Sequence, residues 1–387
     1  MVSSISFPRF VKLGPGAVEG LGDVLTDLAL ERPLLVTDSF MVGNGSADRL
    51  VAIIKAAGKS VAVFSKTVPD PTTDSLQAGI DAVKEHQADS VIGFGGGSPM
   101  DTAKALAVLS KQGGNMRDFK APRVYAGPAL PIIAIPTTAG SGSEATQFTI
   151  ITDISTDEKM LCPGLSFLPI ASIVDSELTM SMPARLTADT GIDALTHAIE
   201  AYVSKKANPI SDGLALSAMK TIGAYLLRAY LDGSDREARE AMMHASTQAG
   251  MAFSNASVCL VHGMSRPIGA HFHVAHGLSN AMLLTAVTAF SIPAAVGRYA
   301  DCARQLGAAD RRDSDEAASS KLIEFIDKLC ADVRVPTPHS YGIDQKRWEE
   351  LIPLMSEQAL ASGSPSNNPV VPSVEEVAEL YRKVYGA

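Results

Sequence analysis

A change of pattern along the chain restricts the fold more than any other feature. From Phe7 to about Pro136, short apolar runs alternate with amphipathic stretches of helical period, and past about Met182 only helical patterns remain. Pro33-Leu-Leu-Val-Thr-Asp38 and Leu130 to Pro136 have the length and composition of buried strands, and Ser60 to Phe64 and Ser90 to Gly95 read as further strands. Helical patterns near Ser46 to Ala57 and Thr73 to His86 separate them, and such alternation implies a parallel sheet covered by helices. The spacing predicts an α/β domain over residues 1–182 and an all-α domain over 183–387. The breaker-rich stretch 361–372 reads as an exposed connection before the last helix.

Charge and cysteine usage narrow the partners. A formal net charge of −9 without any Lys/Arg run argues against nucleic acid. The first residues lack a basic stretch followed by an apolar core, and no long uninterrupted apolar span is evident, so no membrane contact is expected. Cys162, Cys259, Cys302 and Cys330 lie far apart with no Cys-x-x-Cys pair, which predicts reduced thiols in a soluble, cytoplasmic protein. A small molecule is the expected partner.

Half of the eight histidines fall between Val261 and Gly277. Imidazole is a common ligand for zinc, iron and related metals at neutral pH. Asp193-Ala-Leu-Thr-His197 lies in a stretch of helical period, so its carboxylate and imidazole, at i and i+4, share one face. Alone, that pair would read as a solvated helix face with an internal hydrogen bond. Beside the histidine-rich stretch it reads as the other part of a metal site.

Two features of the first half suit a dinucleotide. Gly95-Gly96-Gly97-Ser98 follows a strand and opens a helix, where backbone N–H groups and the helix's positive end can receive a pyrophosphate. Asp38 ends an apolar strand, where a carboxylate can bind a ribose diol and repel a 2′-phosphate, favouring NAD; a helix N-cap is the competing role. The usual dinucleotide fingerprint has its acidic residue about twenty positions after the glycines. Here Asp38 precedes them.

The combination of Asp193/His197, His262-Gly-Met and Ala275-His276-Gly-Leu-Ser-Asn-Ala resembles the iron-dependent (group III) alcohol dehydrogenases, including lactaldehyde and propanediol oxidoreductases. The likeness runs from about Phe10 to the last helix. It implies a dehydroquinate synthase-like fold with the reaction in the cleft between the domains. It also implies a metal held by Asp193, His197, His262 and His276. Three nitrogens and one carboxylate oxygen suit Fe(II), Zn(II), Ni(II) or Co(II), and iron follows from the resemblance alone. The resemblance further places Asp101 by the nicotinamide ribose, Lys104 at the helix or phosphate region, and Thr137, Thr138 and Lys159 against the cofactor. The expected activity is hydride transfer between NAD(H) and a short-chain alcohol or aldehyde, by a homodimer or larger homo-oligomer.

Two residues carry the finer expectations. His273 lies three residues before His276; if that stretch is helical it faces the same pocket and can relay the alcohol proton. Arg266 stands where propanediol oxidoreductases typically have a histidine, and a guanidinium cannot shuttle protons near neutral pH. It either binds an acidic group on the substrate, making the enzyme a reductase for a hydroxy-acid, sulfonate or phosphonate type of aldehyde, or pairs with a carboxylate such as Asp193, or points away. Phe148, Leu161, Cys162 and Phe253 match substrate-side positions of the family. A dehydroquinate synthase-like lyase is a third possibility, and would need a basic pocket in which Arg266 is the one cation evident.

Overall fold

The structure, a computed structural model, describes residues 2–386. Met1 and Ala387, the outer ends of the two expected domains, lie outside the described residues. Residues 6–181 form one compact unit, and residues 182–386 with residues 2–5 form another.

The first unit contains strands β1 (Phe10–Leu13), β2 (Pro33–Val36), β3 (Ala62–Phe64), β4 (Ser90–Gly95), β5 (Ile132–Pro136), β6 (Phe148–Asp153), β7 (Glu158–Pro163) and β8 (Ala171–Val174). Its helices are α1 (Leu21–Asp27), α2 (Ser39–Gly43), α3 (Ser46–Ala56), α4 (Gln77–His86) and α5 (Gly97–Gln112). Six strands form one sheet in the order β1-β8-β5-β4-β2-β3, every pairing parallel. Strands β2, β4, β5 and β8 are buried along their whole length, which is why they read as unbroken apolar runs. Alternate residues serve opposite faces: Leu34 and Val91 enter one core, Leu35 and Ile92 the other.

The antiparallel hairpin β6–β7 was not legible in the sequence. Its turn, residues 154–157, holds no glycine or proline, and Asp157 itself takes the positive φ of 48°.

The second unit is helical: α6 (Ala184–Val203), α7 (Pro209–Leu231), α8 (Arg236–Ala256), α9 (Leu260–Phe272), α10 (His276–Ser291), α11 (Val296–Gln305), α12 (Asp315–Asp332), α13 (Pro338–Tyr341), α14 (Gln345–Ala361) and α15 (Val374–Tyr385). Two expectations need correction. The stretch His276–Ala294 is long and apolar enough to cross a membrane by composition, but more than half of it is buried, as in a core helix. The 361–372 connection is not simply exposed. Ser364, Pro365, Asn367 and Asn368 are buried, with Asn367 Nδ2 donating to Val258 O at 3.1 Å and Asn368 Nδ2 to Ser291 Oγ at 2.9 Å. The polar side chains of this turn are satisfied inside the protein, so polarity did not mean solvent.

Candidate functional site

Three helices of the second unit converge on one cluster. Asp193 and His197 come from successive turns of α6, His262 from the first turn of α9, and His276 from the first residue of α10. One ligand atom from each lies within 4.8 Å of all the others. Asp193 Oδ1 is 3.5 Å from His262 Nε2, 3.8 Å from His276 Nε2 and 3.9 Å from His197 Nε2. Ligands held at about 2.0–2.2 Å around a tetrahedral ion stand roughly 3.4 Å apart. The donor set and its spacing therefore fit a divalent cation.

Burial separates the four. The Asp193, His197 and His262 side chains are about 5% exposed or less, whereas that of His276 is 39% exposed, so the cluster is walled on one side and open on the other. Phe253 stacks on His197 with ring centroids 4.1 Å apart and supplies part of that wall. Burial by itself would raise the Asp193 carboxyl, but the imidazoles of His197, His276 and His262 outweigh it and hold the group far below the usual carboxylate range. Three acceptor-rich groups shut away from water are costly unless a positive charge joins them.

Two members of the site were missed in the sequence. Glu200, three residues after His197 on α6, meets His262 Nδ1 at 2.6 Å through Oε2. Asn280, four residues after His276 on α10, is fully buried and donates through Nδ2 to Asp193 Oδ1 at 2.6 Å. That same nitrogen is 3.1 Å from His262 Nε2 and 3.3 Å from His276 Nε2, while the Asn280 amide oxygen has no hydrogen-bond partner among the described residues. The i+4 spacing that singled out Asp193 and His197, read together with its i+3 counterpart on the same helix face, would have pointed to both.

The other expected residues fall as follows. The chain between α9 and α10 is not helical, so the helical register that was to bring His273 to the face of His276 does not exist. His273 is instead the exposed C-cap of α9, in the left-handed region at φ 54°. Arg266 does not pair with Asp193: its Nη1 donates to Ser364 Oγ at 2.9 Å, and no carboxylate lies within ion-pair distance among the described residues. Burial brings the guanidinium down to about 10 against the attraction of Glu200. Cys162, expected on the substrate side, is fully buried in the first unit's core with its thiol against Met116 O at 3.6 Å, and burial pushes that thiol up to about 12.

In the first unit the C-terminal ends of β2, β4 and β5 lie side by side, with Val36 paired to Gly93 and Gly95 to Pro136. Ligands of open α/β sheets bind outside such ends. Gly95 has φ 143° and Gly96 caps α5 with no side-chain hydrogen bond, so the first amides of this long helix have no side-chain acceptor there. Thr137 and Thr138 follow β5; Thr137 N donates to Gly95 O at 2.9 Å, and the Thr138 side chain lies beside Gly96. Asp38 Oδ1 accepts from Met41 N at 2.9 Å, the N-cap arrangement, and its Oδ2 is directed at Gly95.

Other residues of this end are engaged within the unit. The Ser98 hydroxyl accepts from Asp70 N at 3.2 Å, and Lys159, 5% exposed, pairs with Asp70 at 2.8 Å. Asp101 accepts from Ser143 Oγ at 2.9 Å and Ile150 N at 3.0 Å, tying the start of α5 to β6. Lys104 is fully buried and donates to Thr146 O and Phe148 O at 3.1 and 2.7 Å, so it anchors this loop to α5.

Known proteins share both halves. The family profile described as iron-containing alcohol dehydrogenase matches residues 8–176, and that of the C-terminal part of the Fe-containing alcohol dehydrogenase family matches residues 187–385. The NAD-dependent methanol dehydrogenase of Bacillus methanolicus is 37% identical over 98% of this chain and 99% of its own. A solved 1,3-propanediol oxidoreductase superposes with a TM-score of 0.95 at 34% identity, over 99% of this chain and all of the other. Sulfoacetaldehyde reductase from Bifidobacterium kashiwanohense, solved in complex with NAD+, has a TM-score of 0.88 at 28% identity, over 100% of this chain and 99% of its own.

Proposed function

This chain belongs to the iron-containing alcohol dehydrogenase family, and from that premise we propose that it transfers a hydride between NAD(H) and a short-chain alcohol or aldehyde. The observation that carries this is the convergence of Asp193, His197, His262 and His276 on one point. These four residues would hold the cation, iron(II) in the family's usage. When bound, it supplies a Lewis acid that lowers an alcohol's pKa or polarises an aldehyde carbonyl, and NAD accepts or gives the hydride.

The chain's own residues do the rest. The N-terminus of α5, with Gly95, Gly96 and Gly97, receives the pyrophosphate, and Thr137, Thr138 and Ser98 border it. Asp38 caps α2 with one oxygen and turns the other to the ribose, which favours NAD over its 2′-phosphate; Asp101 and Lys159 line the same end through the bonds described above. Phe253 keeps water from the His197 side, and His276 opens to solvent. Support for a homo-oligomer comes from β1, a sheet edge with Val11 and Leu13 exposed, and four free cysteines are in keeping with a cytoplasmic location.

A second reading of the substrate is favoured by Arg266, a guanidinium 7% exposed that makes one hydrogen bond and no ion pair among the described residues. A fork of donors left this free suits a carboxylate, sulfonate or phosphonate on the aldehyde, and one structural neighbour is named for a sulfonated aldehyde.

The test is anaerobic reconstitution with iron(II) or zinc, followed by NADH oxidation against neutral aldehydes and their acidic analogues, with wild type and Arg266→His. Turnover dependent on added cation is expected. No turnover with any aldehyde at stoichiometric cation would refute the main reading, and a preference for neutral aldehydes that Arg266→His leaves unchanged would remove the second.

A further inference from the structure

The Glu200 carboxylate is spent entirely on the segment that carries His262. Its Oε1 accepts from Val261 N at 2.6 Å, and its Oε2 accepts from Cys259 N at 2.9 Å and meets His262 Nδ1 at 2.6 Å. The side chain is 3% exposed, so water does not compete for these contacts.

Each contact has a separate consequence. Cys259 is the N-cap of α9 and offers no side-chain acceptor, so the amides of Cys259 and Val261 would be unsatisfied without a carboxylate brought in from α6. A negative charge at the positive end of α9 is favourable as well. The ring contact does more than cap. An ionised carboxylate can only accept, so the proton in that contact belongs to His262 Nδ1; Nε2 is the nitrogen turned to the cluster, where the Asn280 Nδ2 donor lies 3.1 Å from it. His262 Nε2 is also the nitrogen 3.5 Å from Asp193 Oδ1. The helix that carries Asp193 and His197 thus also sets the orientation of an imidazole on a different helix.

We propose that Glu200 is a positioning residue of the metal centre: it fixes the ring orientation and the Nδ1–H tautomer of His262 and thereby sets how tightly the cation is held. This rests on the reading of Asp193, His197, His262 and His276 as that centre. An outer carboxylate of this kind typically governs about 10–100-fold in metal affinity. A carboxylate needed only as a helix cap would leave affinity and tautomer untouched when the cap is kept. Buried Arg266, one turn further along α9, is drawn by the Glu200 charge, so that charge is not isolated in the interior.

The experiment compares wild type, Glu200→Gln and Glu200→Leu as full chains. Zinc affinity is measured by chelator competition, and the His262 tautomer by nitrogen–proton correlation spectra of protein labelled at histidine, assigned with His262→Gln. Wild type should carry the His262 proton on Nδ1. Glu200→Gln should release zinc about 10–100-fold more readily while melting as a folded protein. Glu200→Leu should in addition populate the Nε2–H form before zinc is added. Wild-type affinity in both folded variants overturns the proposal, and so does an Nε2–H ring in wild type. If neither variant folds, the wild-type tautomer decides alone. Parallel Asp193→Ala and His197→Ala measurements separate the two levels: if these also keep zinc, the site reading itself has failed, and if they lose it while Glu200 variants do not, only the role of Glu200 has.

Discussion

Gly277 follows His276 in the first turn of α10, and the backbone of α6 passes directly against it. A Cβ placed there would stand 2.8 Å from the carbonyl carbon of Asp189, nearer still to its oxygen, and 3.3 Å from the Cβ of Asp193. Ordinary contact begins at 3.4 Å, and the opposing atoms are backbone, which cannot swing aside. Gly277→Ala must therefore push the start of α10 away from α6 by at least about 0.6 Å, and His276 goes with it. Metal–ligand distances tolerate shifts of only about 0.2 Å. The variant should lose at least roughly tenfold in zinc affinity, at a stability cost of about 1–3 kcal/mol typical of overpacking. Chelator competition and thermal melting measure the two effects. Gly213→Ala is the control: Gly213 lies within α7 with nothing within 4 Å of an added Cβ, and alanine there should be neutral or stabilising. Wild-type zinc affinity and melting temperature in Gly277→Ala would refute the steric reasoning.

Asp193→Ala and His262→Ala should each lose the cation and hydride transfer together while NAD still binds, as judged by metal analysis and NADH fluorescence titration; full cation and turnover in both would remove the site assignment. Asp38→Gly should shift the NADPH/NADH ratio of kcat/KM upward by about tenfold or more, since like-charge repulsion of a 2′-phosphate amounts to several kcal/mol at most. Its capping bond to Met41 N should cost only a few tenths of a kcal/mol when glycine replaces it, so an unmoved ratio would leave Asp38 as a cap. Lys104 gives a pH signature: burial lowers it to about 8 from 10.5, against the pull of Asp101 and Glu144. Between those values only the unfolded chain holds the proton, so its contribution to stability rises with pH from about 8 to 10.5, by about 3 kcal/mol at the upper limit. Urea unfolding of wild type against Lys104→Met at pH 7.5 and 10.5 measures it, and parallel curves would show the amine is not desolvated.

Periodicity is a local property, and what depended on it was legible in the linear chain. The buried runs at Pro33, Ser90 and Leu130 appear as β2, β4 and β5 because a strand covered on both faces must be apolar throughout. The loss of strand patterns past Met182 foretold a unit without a sheet. The spacing of Asp193 and His197 is an intrahelical fact, and so needed no tertiary information. What tertiary structure decided is where separate segments meet. Glu200 and Asn280 look like ordinary helix polars until α9 and α10 are packed against α6 and their side chains find His262 and Asp193. Asn367 and Asn368 read as solvent-facing turn residues because their buried acceptors, Val258 O and Ser291 Oγ, lie some 77 or more positions away. His273 left the helical face because α9 ends in a left-handed residue, a choice made by the need to turn the chain so that His276 begins a new helix beside α6. Backbone hydrogen bonding sets the period of each element along the sequence, whereas a site built from three helices depends on contacts that sequence distance conceals.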